Sequence, residues 1–209
     1  MRLIYTFLLF TTILAFSIDA DAQEFRGGVV AGIAGTQVLG DGYSGPNKAG
    51  ICIGPYVNLS LSDKFSMQMQ LEYIQKGSRE NPDSTNNFSS YLLRLSYVQV
   101  PIMFQYRHSR KLGFEAGGSY GVLVGSYEEG YAANGQFYTG SAFKKRDISF
   151  HAAMHYFIND KLKAEFEFSH SLLYIRPEPS RPTWFFNQGE FNHVLLVGIQ
   201  YQIDSIFGN

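Results

Sequence analysis

The chain has 209 residues and a formal net charge of −1 at pH 7, a length that suits one domain and a charge that lacks the basic footprint of a nucleic-acid-binding protein. Charged residues make up only 17% of the chain, whereas aromatic residues make up 16% and there are 21 glycines. Because a soluble β-domain of this size usually carries more surface charge, we expect one domain with an apolar surface and no nucleic-acid partner.

The N-terminus has the layout of a secretory signal peptide. Arg2 precedes the apolar run Leu3–Phe16, and the small residues Ala20 and Ala22 precede Gln23 as in a cleavage site. The apolar run is shorter than the roughly 20 residues that a membrane-anchoring helix needs. We therefore predict a signal peptide over residues 1–22 and a mature domain over residues 23–209.

The first two predicted strands alternate between apolar and polar side chains. The first begins at Phe25 and the second at Ala49, with the loop Gly40–Lys48 between them and the tight turn Ser62–Lys64 after them. Alternation with a period of two places successive side chains on opposite faces of a strand. Each strand is therefore predicted to have one apolar and one polar face.

The third predicted strand, Phe65–Lys76, shows this alternation most clearly. Its odd positions begin with Phe65, Met67 and Met69, and its even positions are mostly Ser, Gln, Glu and Lys. The stretch is long enough to cross a bilayer when tilted. The polar connection after it, Gly77–Ser90, is much longer than the turn before it.

The fourth predicted strand, Tyr91–Tyr106, changes its pattern midway. Its apolar side chains stand at odd positions up to Tyr97 and at even positions from Val98. Placing both sets on one face requires a slip of one residue, so we predict a β-bulge near Tyr97. Pro101 has no N–H to donate and is predicted to lie at an irregular point of the pairing.

Four more strands complete the pattern, over residues 114–125, 148–156, 162–172 and 191–203. Short turns at Arg107–Lys111 and Asn159–Asp160 alternate with the long loops Ser126–Arg146 and Arg176–Glu190. Short periplasmic turns, long extracellular loops and an even strand number are typical of outer-membrane barrels. The sequence thus predicts an eight-stranded antiparallel up-and-down transmembrane β-barrel in the outer membrane of a Gram-negative bacterium, with both termini in the periplasm.

A soluble lipocalin-like barrel is the structural alternative, because it has the same alternation with the apolar face turned inward. The polar face of the predicted strands is mostly Gly, Ser, Gln and Asn with a few charges. A solvent-facing surface would be rich in Lys, Glu and Thr, whereas small uncharged residues suit the interior of a narrow barrel. This composition favours the membrane barrel.

Four stretches carry a resemblance to a known family. They are residues 27–35 with the sequence GGVVAGIAG, Leu61–Ser78, Tyr97–Tyr106 with its central proline, and Gly113–Ser126. In these stretches the chain resembles the PorT-like outer-membrane β-barrel proteins of Bacteroidetes. The resemblance implies an outer-membrane barrel and suggests an accessory role in type IX protein secretion, and its motifs are structural rather than functional.

Charged and histidine side chains on the polar face are predicted to fill the barrel as one hydrogen-bonded network. A barrel of eight strands has room only for its own side chains, and buried charges must pair. The predicted members are Glu72, Arg94, Glu115, His151, His155, Lys163, Glu165 and Glu167. A metal site or a proton relay among the same histidines and glutamates is the alternative, but the filling role is favoured, and no metal or other cofactor is predicted.

A lipid-modifying outer-membrane enzyme is the functional alternative. Lipid A deacylases carry a His and a Ser two residues apart, so that both side chains face the lipid. Here His170 is followed by Ser171, which points inward, and residue 172 is Leu. His193 is expected to neighbour His170 as an interfacial residue. No catalytic residues are therefore predicted.

The long loops combine aromatic and basic residues, which are typical of binding surfaces. The predicted recognition residues are Tyr131, Tyr138, Trp184, Phe185 and Phe186. Capping of the barrel mouth, with basic side chains on lipopolysaccharide phosphates, explains the same composition equally well. We expect a small non-enzymatic barrel with a filled lumen that docks a protein partner in an envelope assembly.

Overall fold

The computed structural model describes residues 25–43, 45–131, 142–177 and 189–203. These residues form β1 (Phe25–Leu39), β2 (Lys48–Ser60), β3 (Phe65–Gln70), β4 (Glu72–Glu80), β5 (Ser90–Arg107), β6 (Leu112–Tyr131), β7 (Arg146–Phe157), β8 (Leu162–Ser171) and β9 (Phe191–Ile203). Within the described ranges there is no helix of the length and apolarity that a membrane span requires. The predicted signal peptide lies outside them.

The strands close into an antiparallel barrel. β1 pairs with β2 on one side and with β9 on the other, and from β5 to β9 each strand pairs with the next along the chain. β3 and β4 both pair with β2 and β5, so these two segments together fill one position of the ring. The predicted all-β barrel of eight strands is therefore confirmed, with its third strand interrupted once.

The interruption lies at Leu71, because each of the two flanking strands has a proline opposite this segment. These prolines are Pro55 on β2 and Pro101 on β5. The Leu71 N–H donates to the Pro55 carbonyl at 3.0 Å. On the other side, pairing with β5 stops at Ile102 and resumes at Gln99, and Pro101 falls in the gap. A proline offers no N–H to a ladder. The irregularity predicted at Pro101 is thus present.

The apolar face of the barrel points outward. Ile33 is 70% exposed and Phe104 is 62% exposed, and the outward residues of the other strands are likewise exposed and apolar. In contrast, Gln68, His151 and Gln200 are fully buried inside the ring. The inner wall is crowded, since a Cβ on Gly28 would collide with the ring of Tyr56. A soluble lipocalin-like barrel would have the opposite arrangement, so this alternative is wrong.

One prediction about the fourth strand is also wrong. β5 alternates without a slip, so Tyr91, Leu93, Leu95 and Tyr97 point inward and are buried. The bulge near Tyr97 exists, but the extra residue lies on β6, where Ser96 pairs with Gly125 and Tyr97 pairs with Leu123. The apolar side chains at the start of β5 therefore face the interior rather than lipid.

These inward side chains build an apolar plug at the end of the barrel that carries the long loops. Besides the β5 residues, the plug contains Ala34, Val38, Cys52, Ile74, Ile175, Val194 and Leu196. Cys52 is a free, buried thiol and packs here as a small apolar residue, as predicted. The polar network fills the remainder of the lumen, toward the end with the short turns.

The outward apolar band predicts how the protein behaves in solution. We expect the mature chain to fold only in detergent or lipid and to resist unfolding by SDS until it is heated, because water cannot solvate that band. The measurement is a heat-dependent shift in gel migration. A refolded protein that is monodisperse in buffer without amphiphile would contradict this expectation.

Candidate functional site

The polar lumen contains two histidine centres. His151 Nδ1 lies 2.9 Å from Glu167 Oε1, and His151 Nε2 lies 2.7 Å from the Ser119 hydroxyl. His155 Nε2 lies 3.3 Å from Glu115 Oε1 and 3.6 Å from Glu165 Oε1. β6, β7 and β8 supply all of these side chains. Neighbouring strands thus bring together the predicted histidines and three of the predicted glutamates.

Glutamine side chains hold the carboxylates in place. Gln105 donates to Glu115 at 2.6 Å and Gln200 donates to Glu165 at 2.7 Å. Gln68 accepts from Gln105 and donates to Gln200, both at 3.0 Å, and so joins the two. These five side chains come from five strands, and this polar filling explains why so many glutamines lie on inward positions of the barrel.

The remaining members of the predicted network are Glu72, Lys163 and Arg94. The first two lie inside the barrel, and the third does not. Glu72 is buried and accepts from Gln99 at 2.9 Å. Lys163 is buried with its Nζ 3.4 Å from Gln68 Oε1. Arg94 is exposed on the outer face of β5, so its assignment to the lumen is wrong. Arg94 lies outside because β5 alternates without the predicted slip.

The predicted lumen network does not include Lys76, which is a buried cation of the lumen. Lys76 Nζ lies 3.0 Å from Asp147 Oδ2, and each side chain is only 1% exposed. Asn192 donates to the same oxygen at 2.9 Å, and Ser149 donates to Asp147 Oδ1 at 3.1 Å. The inward position of Lys76 on the third predicted strand was a usable signal, but its partner lies across the lumen on β7.

Ser119, His151 and Glu167 have the order of contacts found in hydrolytic triads. Catalysis also requires that a substrate reach the serine hydroxyl. Ser119 is 6% exposed and His151 is 0% exposed, and neither lines the cleft described below. The arrangement therefore acts as a buried hydrogen-bonded chain.

A polar cleft of about 130 Å³ opens at the end of the barrel that carries the short turns. Its lining includes the turn around Asp63, the turn around Asp160, and the inward side chains of Gln105, His155 and Lys163. The cleft therefore reaches from solvent to the lower part of the lumen network.

A second charged cluster closes the opposite end. Arg176 binds Glu190 through two hydrogen bonds of 2.9 and 2.8 Å and contacts both carboxylate oxygens of Glu128, at 2.9 and 2.7 Å. Tyr91 donates to Glu128 at 2.7 Å, and the Phe143 ring lies 4.3 Å from the guanidinium. Burial alone would lower the pKa of Arg176, but the carboxylates outweigh burial and raise this pKa.

Above this cluster, β4, β5 and β6 continue past the ring as a three-stranded flap. Pairing of β6 with β7 ends at Val122, whereas pairing of β5 with β6 continues to Tyr131. On the inner face of the flap, the β5 side chains Leu93 and Leu95 are buried in the plug. Its outer face carries Tyr127 and Tyr131, which are 52% and 53% exposed, beside exposed Arg94.

The flap changes the predicted loop Ser126–Arg146, because its first six residues belong to β6. Of the predicted recognition residues, the structure places Tyr131 on the exposed face of the flap. The others, Tyr138, Trp184, Phe185 and Phe186, lie outside the described residues.

The two outward histidines are neighbours, as predicted. His170 pairs with His193 in the register of β8 and β9, and their ring centroids are 5.7 Å apart. Ser171 is buried, and its hydroxyl accepts from the Asn192 backbone N–H at 3.0 Å. The serine is thus turned away from both histidines.

A closed barrel with an apolar outer wall and a polar interior defines the class of integral outer-membrane β-barrel proteins. The chain belongs to the family described as outer membrane protein beta-barrel domain, whose model matches residues 21–175. Its place is therefore the outer membrane. A search of curated proteins found no match.

Solved structures of outer-membrane proteins are similar to this chain. Neisserial surface protein A aligns with a TM-score of 0.52 and 11% identity, over 85% of this chain and 97% of that chain. Ail of Yersinia pestis in complex with the heparin analogue sucrose octasulfate aligns with a TM-score of 0.49 and 12% identity, over 86% of this chain and 99% of that chain. At 11% identity, the similarity to Neisserial surface protein A shows the fold alone.

Proposed function

We propose that this barrel is a non-enzymatic docking component of an envelope assembly and that the outer face of the flap, with the long loops, binds a protein partner. The observation that carries the proposal is the exposure of Tyr127 and Tyr131 beside Arg94 on a sheet whose inner face carries buried β5 side chains. Tyrosine and arginine dominate binding energy when a partner buries them.

The contacts that hold the flap support this role. Leu93 and Leu95 pack in the plug, and Tyr91 and Arg176 both contact Glu128. A surface that is ordered before binding loses less conformational entropy when the partner docks. Type IX secretion is the assembly that the resemblance to PorT-like proteins suggests, with the flap on the extracellular side and both termini in the periplasm.

The lipid-modifying alternative rests on His170 and His193. Their rings are adjacent, but Ser171 faces the interior, and the serine that contacts a histidine, Ser119, is buried. Lipid and lipopolysaccharide then surround the barrel as its environment rather than as a substrate.

Site-specific photocrosslinking in native membranes tests the docking face. A benzoylphenylalanine placed at Tyr131 or at Tyr127 is expected to give one discrete protein adduct. The matched control is Tyr120, which is also outward on β6 and 46% exposed but lies within the barrel wall. We expect no protein adduct at Tyr120, because lipid covers it.

Two results would contradict the proposal. One is the absence of any adduct at both flap positions while the protein remains heat-modifiable. The other is normal complex formation in a variant with Tyr127 and Tyr131 replaced by serine, combined with loss of the cellular phenotype after replacement of His170 or His193 by asparagine. The second result would favour a lipid-modifying enzyme.

A further inference from the structure

We propose that Glu115, His155 and Glu165 form a binding site for a divalent transition-metal ion of the Zn²⁺ class in the lower lumen. One ligand atom from each residue lies within 4.8 Å of the other two, and all three side chains are buried. The site goes beyond the docking function, because it lies in the lumen and not on the flap.

The distances favour shared coordination over hydrogen bonding. A tetrahedral ion with bonds of about 2.1 Å separates its ligand atoms by about 3.4 Å. His155 Nε2 lies 3.3 Å from Glu115 Oε1 and 3.6 Å from Glu165 Oε1, close to that separation. Hydrogen bonds to a charged acceptor are shorter, about 2.7–2.9 Å.

The unsatisfied atoms supply an independent observation. Glu115 Oε1 and His155 Nε2 are buried and have no hydrogen-bond partner among the residues that the structure describes. Buried polar atoms without partners are costly and need an explanation. The two atoms lie 3.3 Å apart, and an ion bound to both would satisfy them together.

The surrounding glutamines have the arrangement of an outer coordination shell. Gln105 holds the second oxygen of Glu115 at 2.6 Å, and Gln200 holds the second oxygen of Glu165 at 2.7 Å. Each Oε1 is thereby left to face His155. Such outer partners orient metal ligands, and their loss typically weakens metal binding by about 10–100-fold.

The charge around the site and its access from solvent also suit a divalent cation. On the inward positions of the strands there are more buried carboxylates than buried ammonium groups; the carboxylates are those of Glu72, Glu115, Asp147, Glu165 and Glu167, and the ammonium groups are those of Lys48, Lys76 and Lys163. A divalent cation at the site would stabilise the two buried carboxylates that face it, because a buried charge needs a partner of opposite sign. His155, Gln68, Gln105 and Lys163 line the cleft at the short-turn end, which provides a path from solvent.

The donor set indicates the class of ion. Imidazole suits zinc, iron, nickel and copper, and carboxylates accept zinc and manganese. Three protein ligands leave a fourth position of a tetrahedral ion open to water. Ca²⁺ and Mg²⁺ are disfavoured, because they take six or more oxygen ligands in sites of this kind.

Metal binding by the untagged mature barrel, refolded in detergent and stripped with EDTA, tests the proposal. Equilibrium dialysis against ZnCl₂ is expected to give one bound ion per chain, and CoCl₂ is expected to give the visible absorption of tetrahedral Co²⁺. Glu165→Gln should weaken binding at least about 100-fold, and Gln200→Ala by about 10–100-fold. The control is Glu72→Gln, which removes a buried carboxylate outside the site.

A variant that is expected to strengthen Zn²⁺ binding keeps the test independent of folding defects. Lys163→Met removes a positive charge near Glu115 and Glu165 and should tighten Zn²⁺ binding. The absence of bound zinc in the heat-modifiable wild-type barrel would overturn the proposal. Binding that Glu165→Gln leaves intact would overturn it as well, and would assign the ion to exposed groups such as His108. Neither result bears on crosslinking at the flap.

Discussion

Replacing Lys76 by methionine is expected to lower the free energy of unfolding of the barrel by about 3–5 kcal/mol, the usual cost of breaking a buried ion pair from one side. The variant leaves Asp147 buried with one charge and with neutral donors such as Asn192 and Ser149. The measurement is urea unfolding in detergent or lipid, followed by the heat-modifiable band.

The matched control is Arg94→Met. Arg94 is exposed on the outer face of β5, and a change at such a position usually stays within about 0.5 kcal/mol. The double variant Lys76→Met with Asp147→Asn should recover much of the stability, because neither side then carries an unpaired charge. Equal losses from Lys76→Met and Arg94→Met would contradict the lumen assignment of Lys76.

Replacing Arg176 by methionine is expected to open the flap locally, at a cost of about 3 kcal/mol. The change leaves the carboxylates of Glu190 and Glu128 facing each other without their shared cation. Burial already raises the pKa of Glu190 despite the opposing effect of Arg176. We therefore expect faster amide hydrogen exchange over Gly125–Tyr131, with little change in the barrel below.

Arg79→Met is the control for Arg176. Arg79 is an exposed arginine at the same end, and its hydrogen bond to Asn81 at 2.9 Å is exposed as well. Its loss should leave hydrogen exchange in the flap unchanged. If the partner adduct at Tyr131 also disappears in the Arg176 variant but not in the Arg79 variant, the flap is confirmed as a surface that must be ordered to bind.

The comparison of β3 with β5 shows where alternation is a sufficient guide. On β3 only one face is apolar, so the sequence assigns Met67 and Gln68 to opposite sides without ambiguity. On β5 the apolar side chains stand on the inner face up to Tyr97 and on the outer face from Val98. A pattern of apolar residues does not distinguish lipid from an apolar plug, and the predicted slip placed Tyr91 and Leu93 on the wrong side and Arg94 inside.

Contacts between strands that do not pair could not be predicted from the sequence either. Glu115, His155 and Glu165 lie on consecutive strands, so their approach follows from strand order and short turns. Lys76 and Asp147 lie on β4 and β7, which do not pair. Their contact depends on the diameter of the ring and on the reach of the lysine side chain, and neither quantity is encoded in the local pattern.

By itself, the sequence determined the class of structure, because alternation with a period of two, an apolar face and alternating connection lengths leave few ways to satisfy backbone hydrogen bonds in a membrane. The tertiary structure decided how the interior is divided between the plug around Leu93 and the polar network around His155. It also decided that β6 extends beyond the ring as part of the flap. These features arise from side chains that meet only after the barrel closes, when volume and buried charge must be balanced within one narrow space.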